Sequence, residues 1–105
     1  MELIGGSFIP ELVAELRAVA PEVPRSMLFS RATVDEMVST CRKLAATYAH
    51  PCFRPVDVAM VNELHAAGLQ VMTPHTNDAD EAREFARIGV DVIASDDPRV
   101  LAQLQ

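Results

Sequence analysis

Between Leu64 and Pro98 the chain runs twice through one order: helix end, glycine, short apolar run, polar loop, helix start. Leu69, Val71 and Met72 form the first apolar run; Val90, Val92, Ile93 and Ala94 form the second. Runs this short and this apolar suit strands of a parallel sheet covered by helices. Gly68 and Gly89 stand where a helix ends in a left-handed residue before the chain re-enters the sheet. Asn77 is placed to cap the intervening helix, and Asp78, Asp80 and Glu81 put negative charge in its first turn, where the helix dipole favours it.

The same alternation extends upstream. Glu2–Gly6 reads as a short strand ending in glycines. Ser7 is placed to cap a helix with Pro10 in its first turn. Ile9, Leu12, Val13, Leu16 and Val19 recur at helical spacing and predict one buried stripe. Pro21 and Pro24 end that helix, and Ser26–Ser30 supplies a second strand. Thr33 and Glu36 have the spacing of a capping box. The stripe Val34, Met37, Val38, Cys41, Leu44 and Ala45 follows. Thr47–Ala49 is a brief third strand closed by His50-Pro51. The next helix carries Val56, Ala59, Met60, Leu64 and Ala67 in phase. A last helix begins near Pro98, capped by Asp96 or Asp97, with Val100, Leu101 and Leu104 available for packing. Five strands alternating with five helices predict an α/β fold with a parallel sheet and right-handed crossovers. Residues 1–105 are read as one domain.

Several classes are excluded. Half the residues are hydrophobic, which argues against disorder. A net charge of −6 with no basic stripe argues against nucleic acid as a partner. No apolar run approaches the ~20 residues of a membrane span. The start, MELIGGSF, lacks the basic region and long apolar core of a signal peptide, so a cytoplasmic location is expected. Cys41 and Cys52 do not have the spacing of a metal motif. Cys41 falls on an apolar helix face as a buried thiol, and Cys52 lies in a loop beside Phe53.

In a parallel α/β structure, ligands bind beyond the carboxyl ends of the strands. The polar residues expected there are Ser7, Ser30, Arg31, His50, Thr73, His75, Thr76, Asn77, Ser95, Asp96 and Asp97. His50 and His75 end adjacent strands, so they can converge on one ligand or metal. In the plainer alternative, His50 packs under Pro51 and bonds a loop, while His75 is an exposed loop residue. Two histidines without a third ligand make an incomplete zinc site. Asp96, Asp97 and above all Asn77 read as helix caps ahead of ligands. Ser7 and Ser30 have no activating base, and His65 lies inside a helix. Phe8 and Phe53 are candidates for a pocket wall or for the core.

These segments carry a family resemblance. Ala66–Val71 (AAGLQV), Thr76-Asn77-Asp78 and Gly89–Pro98 (GVDVIASDDP) resemble the C-terminal part of the glycerophosphodiester phosphodiesterases. That family shows Gly-Leu-x-Val leading into Trp-Thr-Val-Asn, a helix, then Gly-Val-Asp-Gly-Ile-Ile-Thr-Asp-x-Pro. Ser7-Phe8, Ala20–Pro24, Leu28–Ser30 and His50-Pro51 match earlier parts in the same order. The resemblance implies a (β/α)8 TIM-type barrel, of which this chain holds about the last five βα units. It implies lipid metabolism and metal-dependent hydrolysis of glycerophosphodiesters to an alcohol and glycerol 3-phosphate, with Mg or Ca as the cation.

The family's chemistry uses two histidines, one in a His-Arg-Gly and one in a His-Asp pair, with metal carboxylates in a Glu-x-Asp and on a further strand. None of these motifs occurs here, so no catalytic residue, metal ligand or cofactor is assigned to this chain, which is expected to be inactive alone. Counted back from Asn77, the family's Trp and Thr positions hold Pro74 and His75. Phe8, His50, His75 and Asn77 remain as substrate-binding candidates. A five-unit arc has uncovered edges, so a homo-oligomer or a missing N-terminal barrel half is expected as partner. Phe29, Tyr48, Val71 and Ile93 are the large strand residues expected on the uncovered inner face. The alternative is a non-catalytic flavodoxin-like binding or regulatory domain.

Overall fold

The computed structural model describes residues 3–103. In chain order the elements are β1 (Gly5–Ser7), α1 (Pro10–Val19), β2 (Arg25–Phe29), α2 (Val34–Leu44), β3 (Tyr48–Pro51), α3 (Val58–Ala66), β4 (Gln70–Val71), α4 (Ala79–Arg87) and α5 (Pro98–Ala102). The sheet is parallel and its order, β1-β2-β3-β4, follows the chain. Each strand lies beside its predecessor with a helix between them, as in an arc of a barrel; a doubly wound sheet reverses direction at a switch point.

The local chemistry explains most boundaries. Thr33 Oγ1 accepts from Glu36 N (3.2 Å) and Glu36 Oε1 accepts from Thr33 N (3.1 Å), which completes the capping box at α2. Gly68 and Gly89 adopt φ of +84° and +96°, as helix stops require. Two caps differ from expectation. α4 is capped by Asp78, whose Oδ1 accepts from Asp80 N (2.9 Å), and not by Asn77. Ser7 Oγ accepts from Ile9 N (3.0 Å), but the residue at the α1 cap is Ile9 and its side chain makes no cap bond. Asp97 Oδ1 accepts from Arg99 N (2.9 Å) at the start of α5. Of the expected termini, Glu2, Leu104 and the Leu101 side chain lie outside the described residues.

The expected fifth strand is reduced to one bridge between Met72 and Val92. On either side of that bridge, side chains replace the ladder bonds. Asp91 Oδ2 accepts from Val71 N at 2.7 Å, where a backbone carbonyl would stand in a ladder. The Thr73 carbonyl is occupied by His50 Nε2 at 2.7 Å, and Ala94 N donates instead to Thr73 Oγ1 at 2.9 Å. Backbone bonds remain at the bridge itself, from Thr73 N to Val92 O (3.0 Å) and from Val92 N to Val71 O (3.2 Å), and the bonds that would extend it go to side chains. Ile93 is accordingly half-buried rather than central.

The core lies between sheet and helices. Met27, Phe29, Ala49 and Val71 join Met37, Cys41, Val61, Leu64 and Phe85 in one cluster. Alternation along the strands turns Ser26, Leu28, Tyr48 and His50 to the opposite, inner face. Phe29 and Val71 are thus corrected from inner-face to helix-face residues, and Tyr48 is on the inner face but buried, not uncovered. The α1 stripe is also revised: Val13 is buried, whereas Ile9, Leu12 and Val19 are exposed. α1 stands at the end of the arc, with a neighbouring helix on one flank only among the described elements. No helix among the described residues is long and apolar enough to cross a membrane.

Candidate functional site at the carboxyl ends of the strands

A cavity of about 380 Å³ opens at the carboxyl ends of β1, β2 and β3 and at the loop after β4. Its apolar wall is Phe8, Leu28 and Pro74; its polar wall is His50, Cys52, Arg54 and His75. Phe8 follows the end of β1 directly, and Leu28 is the inward residue of β2 beside His50 in the register.

His50 is buried, with its Nε2 2.7 Å from the Thr73 carbonyl. A carbonyl only accepts, so Nε2 carries the proton and Nδ1 of the neutral ring is an acceptor. Burial lowers the His50 pKa below the usual histidine range; the Thr73 bond opposes this shift and nearby His75 adds to it. His75 is exposed and its Nε2 lies 3.3 Å from Asp96 Oδ1. His50 thus bonds a loop carbonyl and His75 is an exposed loop residue, and both line one cavity. The Cys52 thiol donates to the His50 carbonyl (3.6 Å), and burial raises its pKa, so it is a protonated wall group and not an activated nucleophile. Burial pushes the core thiol of Cys41 up to about 11.

Asn77, expected beside the histidines, does not line the cavity. Its Oδ1 accepts from Ser95 Oγ and from Asp96 N, each at 3.2 Å. It fixes the loop that carries Asp96. Ser7, Ser30 and Arg31 also stand outside the lining. Sequence reasoning missed Leu28 and Arg54 as wall residues. The alternation of β2 carried the signal for Leu28. Arg54 sits in the loop directly after the His50-Pro51 strand end, where a charge faces the site.

The donor set does not fit a hard divalent cation. Such ions take carboxylate and carbonyl oxygens, and no carboxylate lines the cavity. Among the described residues no three His, Cys, Asp or Glu side chains are grouped to hold a metal ion.

Parallel βα units in chain order, with a cavity at the strand ends, define an arc of a (β/α)8 barrel. The sequence model of the glycerophosphoryl diester phosphodiesterase family matches residues 2–100. The chain belongs to that family. An Oleispira antarctica phosphodiesterase, solved in complex with the product sn-glycerol-3-phosphate, superposes with a TM-score of 0.85 at 24% identity, over 99% of this chain and 42% of its own. A Silicibacter pomeroyi protein assigned as a glycerophosphoryl diester phosphodiesterase gives 0.78 at 28% identity, over 96% and 38%. A glycerophosphodiester phosphodiesterase from Agrobacterium tumefaciens gives 0.70 at 27% identity, over 94% and 43%. The chain thus spans less than half the length of these structures. No curated protein sequence matches it significantly.

Proposed function

We propose that this chain is the ligand-holding part of a glycerophosphodiester phosphodiesterase-like barrel, and that it does not hydrolyse the diester by itself. The observation that carries the reading is a cavity lined by Phe8, His50 and His75 together, at the strand-end face of a member of this family. Phe8, Leu28 and Pro74 supply apolar cover for a carbon skeleton. His50, whose Nε2 proton is held by Thr73, offers Nδ1 as an acceptor for a hydroxyl, and His75 adds a further hydrogen-bonding group. Asn77 acts at one remove, by fixing the loop whose Asp96 faces His75. The relative solved with sn-glycerol-3-phosphate supports a ligand of that class. The sequence contains neither His-Arg-Gly nor a strand Glu-x-Asp, so the acid–base pair and the carboxylate cluster of the family chemistry are not supplied by this chain.

The test is turnover of glycerophosphocholine by the purified chain with Mg2+ or Ca2+. No glycerol 3-phosphate above background is expected. Turnover that disappears in His50→Ala or His75→Ala would overturn the inactive reading and reveal a working site rebuilt on these residues.

The partner follows from the uncovered end of the arc. Ile9, Leu12 and Val19 are exposed on α1 and its cap, and among the described strands β1 pairs only with β2. An apolar flank next to an unpaired edge is covered in solution, by a second copy of this chain or by the further βα units that its relatives carry. Sedimentation equilibrium of the purified chain at micromolar concentration is expected to give a mass above the monomer's 11.4 kDa. A single species at the monomer mass would show that this flank tolerates water, and Leu12→Lys would then leave the mass unchanged.

A further inference from the structure

Arg54 is the one guanidinium in the cavity wall, and its geometry is fixed from outside the cavity. Its Nε donates to Glu81 Oε2 at 2.8 Å and its Nη2 to Glu81 Oε1 at 2.6 Å. Nη2 also donates to the His75 carbonyl at 3.0 Å. Among the described residues Nη1 makes no hydrogen bond, so two donors of the fork remain for a ligand. Glu81 comes from α4 and Arg54 from the loop after β3, so the two-point contact pins the loop to a helix. It sets the plane of the guanidinium before any ligand arrives, and the ordering cost of binding falls accordingly.

The rest of the wall has the matching character. His50 and Cys52 add neutral groups whose protons are held by the Thr73 and His50 carbonyls. His75 Nε2 faces Asp96 at 3.3 Å. No carboxylate is itself a lining residue, so Arg54 is the wall's free charged donor. The family resemblance implies a divalent cation held by carboxylates, a donor set that this cavity does not contain. A phosphate ester and an oriented guanidinium match each other directly.

We propose that this cavity binds a phosphate-ester anion without a divalent cation, with the Arg54 guanidinium donating to a phosphate oxygen. Phe8, Leu28 and Pro74 cover the ester's carbon portion. This inference rests on the proposed ligand-holding role and adds that the phosphate charge is met by Arg54 and not by a metal ion.

The experiment is calorimetric titration of the full chain with sn-glycerol 3-phosphate, in EDTA and again in Mg2+. Inorganic phosphate and glycerol serve as separate arms. Equal affinity in the two buffers is expected. Glycerol is expected not to bind, and inorganic phosphate to bind more weakly than the ester because it leaves the apolar wall unfilled. Arg54→Met, which keeps the stem and removes the charge, is expected to weaken the ester by about 10–100-fold. Arg54→Lys, which keeps the charge but not the fork, is expected to fall between. Unchanged thermal transitions of both variants would show that each is folded, as suits a side chain half exposed to solvent. Binding that needs Mg2+, or that ignores Arg54→Met, would overturn the inference while leaving the ligand-holding role intact. Phosphate binding as tightly as the ester would overturn the part assigned to the apolar wall. No binding of the ester in either buffer would overturn the ligand-holding role itself, and this inference with it.

Discussion

Leu64→Ala is expected to lower the unfolding free energy by about 2–5 kcal/mol, among the largest losses open to a single substitution in this chain. Leu64 is fully buried on α3, within the cluster that includes Val61, Val71 and Phe85. Truncation removes the transfer term of the lost methyl and methylene groups. It also leaves a cavity, because the sheet beneath and the helices beside it relax only in part. Urea denaturation followed by circular dichroism gives the difference. Ile93→Ala makes the informative comparison. Its side chain is half-buried and follows a single bridge instead of sitting in a paired strand. It should therefore cost about 1 kcal/mol or less. Equal losses at the two positions would mean that residues 90–94 pack as a full fifth strand in solution.

That comparison marks where the sequence was legible. Period and punctuation identified five helices, because Thr33, Glu36, Gly68 and Gly89 act within a few residues of themselves. The parallel order followed from the same alternation. The fifth strand was overread, since its residues have strand composition but their hydrogen bonds are decided elsewhere. Asp91 holds the Val71 N–H, and His50, more than forty residues upstream of Val92, holds the carbonyl of Thr73. The end of α2 was also not legible: Ala45 turns left-handed at φ +52° with no glycine to announce it. At the site, Phe8, His50 and His75 could be named from strand ends alone. Arg54 could not, because its orientation depends on Glu81 on another element, 27 positions away. Asn77 has the pattern of a local cap and of a strand-end ligand residue, whereas its partners are Ser95 and Asp96, a contact between loops that no local pattern encodes.

His50 links the interrupted ladder to the site, and this makes its titration measurable as stability. His50→Leu is expected to cost about 1–3 kcal/mol near neutral pH, because the Thr73 carbonyl loses its ring donor inside the protein. The pH dependence carries a definite sign. The ordinary histidine value is 6.5, and burial lowers it in the folded protein. Well above 6.5 the ring is neutral in both states and its contribution is complete. As pH falls below 6.5 the unfolded chain takes up the proton first, so stability drops until the folded-state value is passed. The groups facing the ring are Cys52, Arg54 and His75 across the cavity. The Cys52 thiol, raised by burial, stays protonated throughout this window, and Arg54, raised by its Glu81 partner, stays charged. His75 and the remote His65 are present in both proteins. Subtracting the pH profile of His50→Leu from that of the parent isolates His50. The parent should be the more stable protein near pH 7, and the gap should narrow steadily toward pH 5. A gap that stays constant across that range would mean that His50 is not buried as a neutral ring against Thr73.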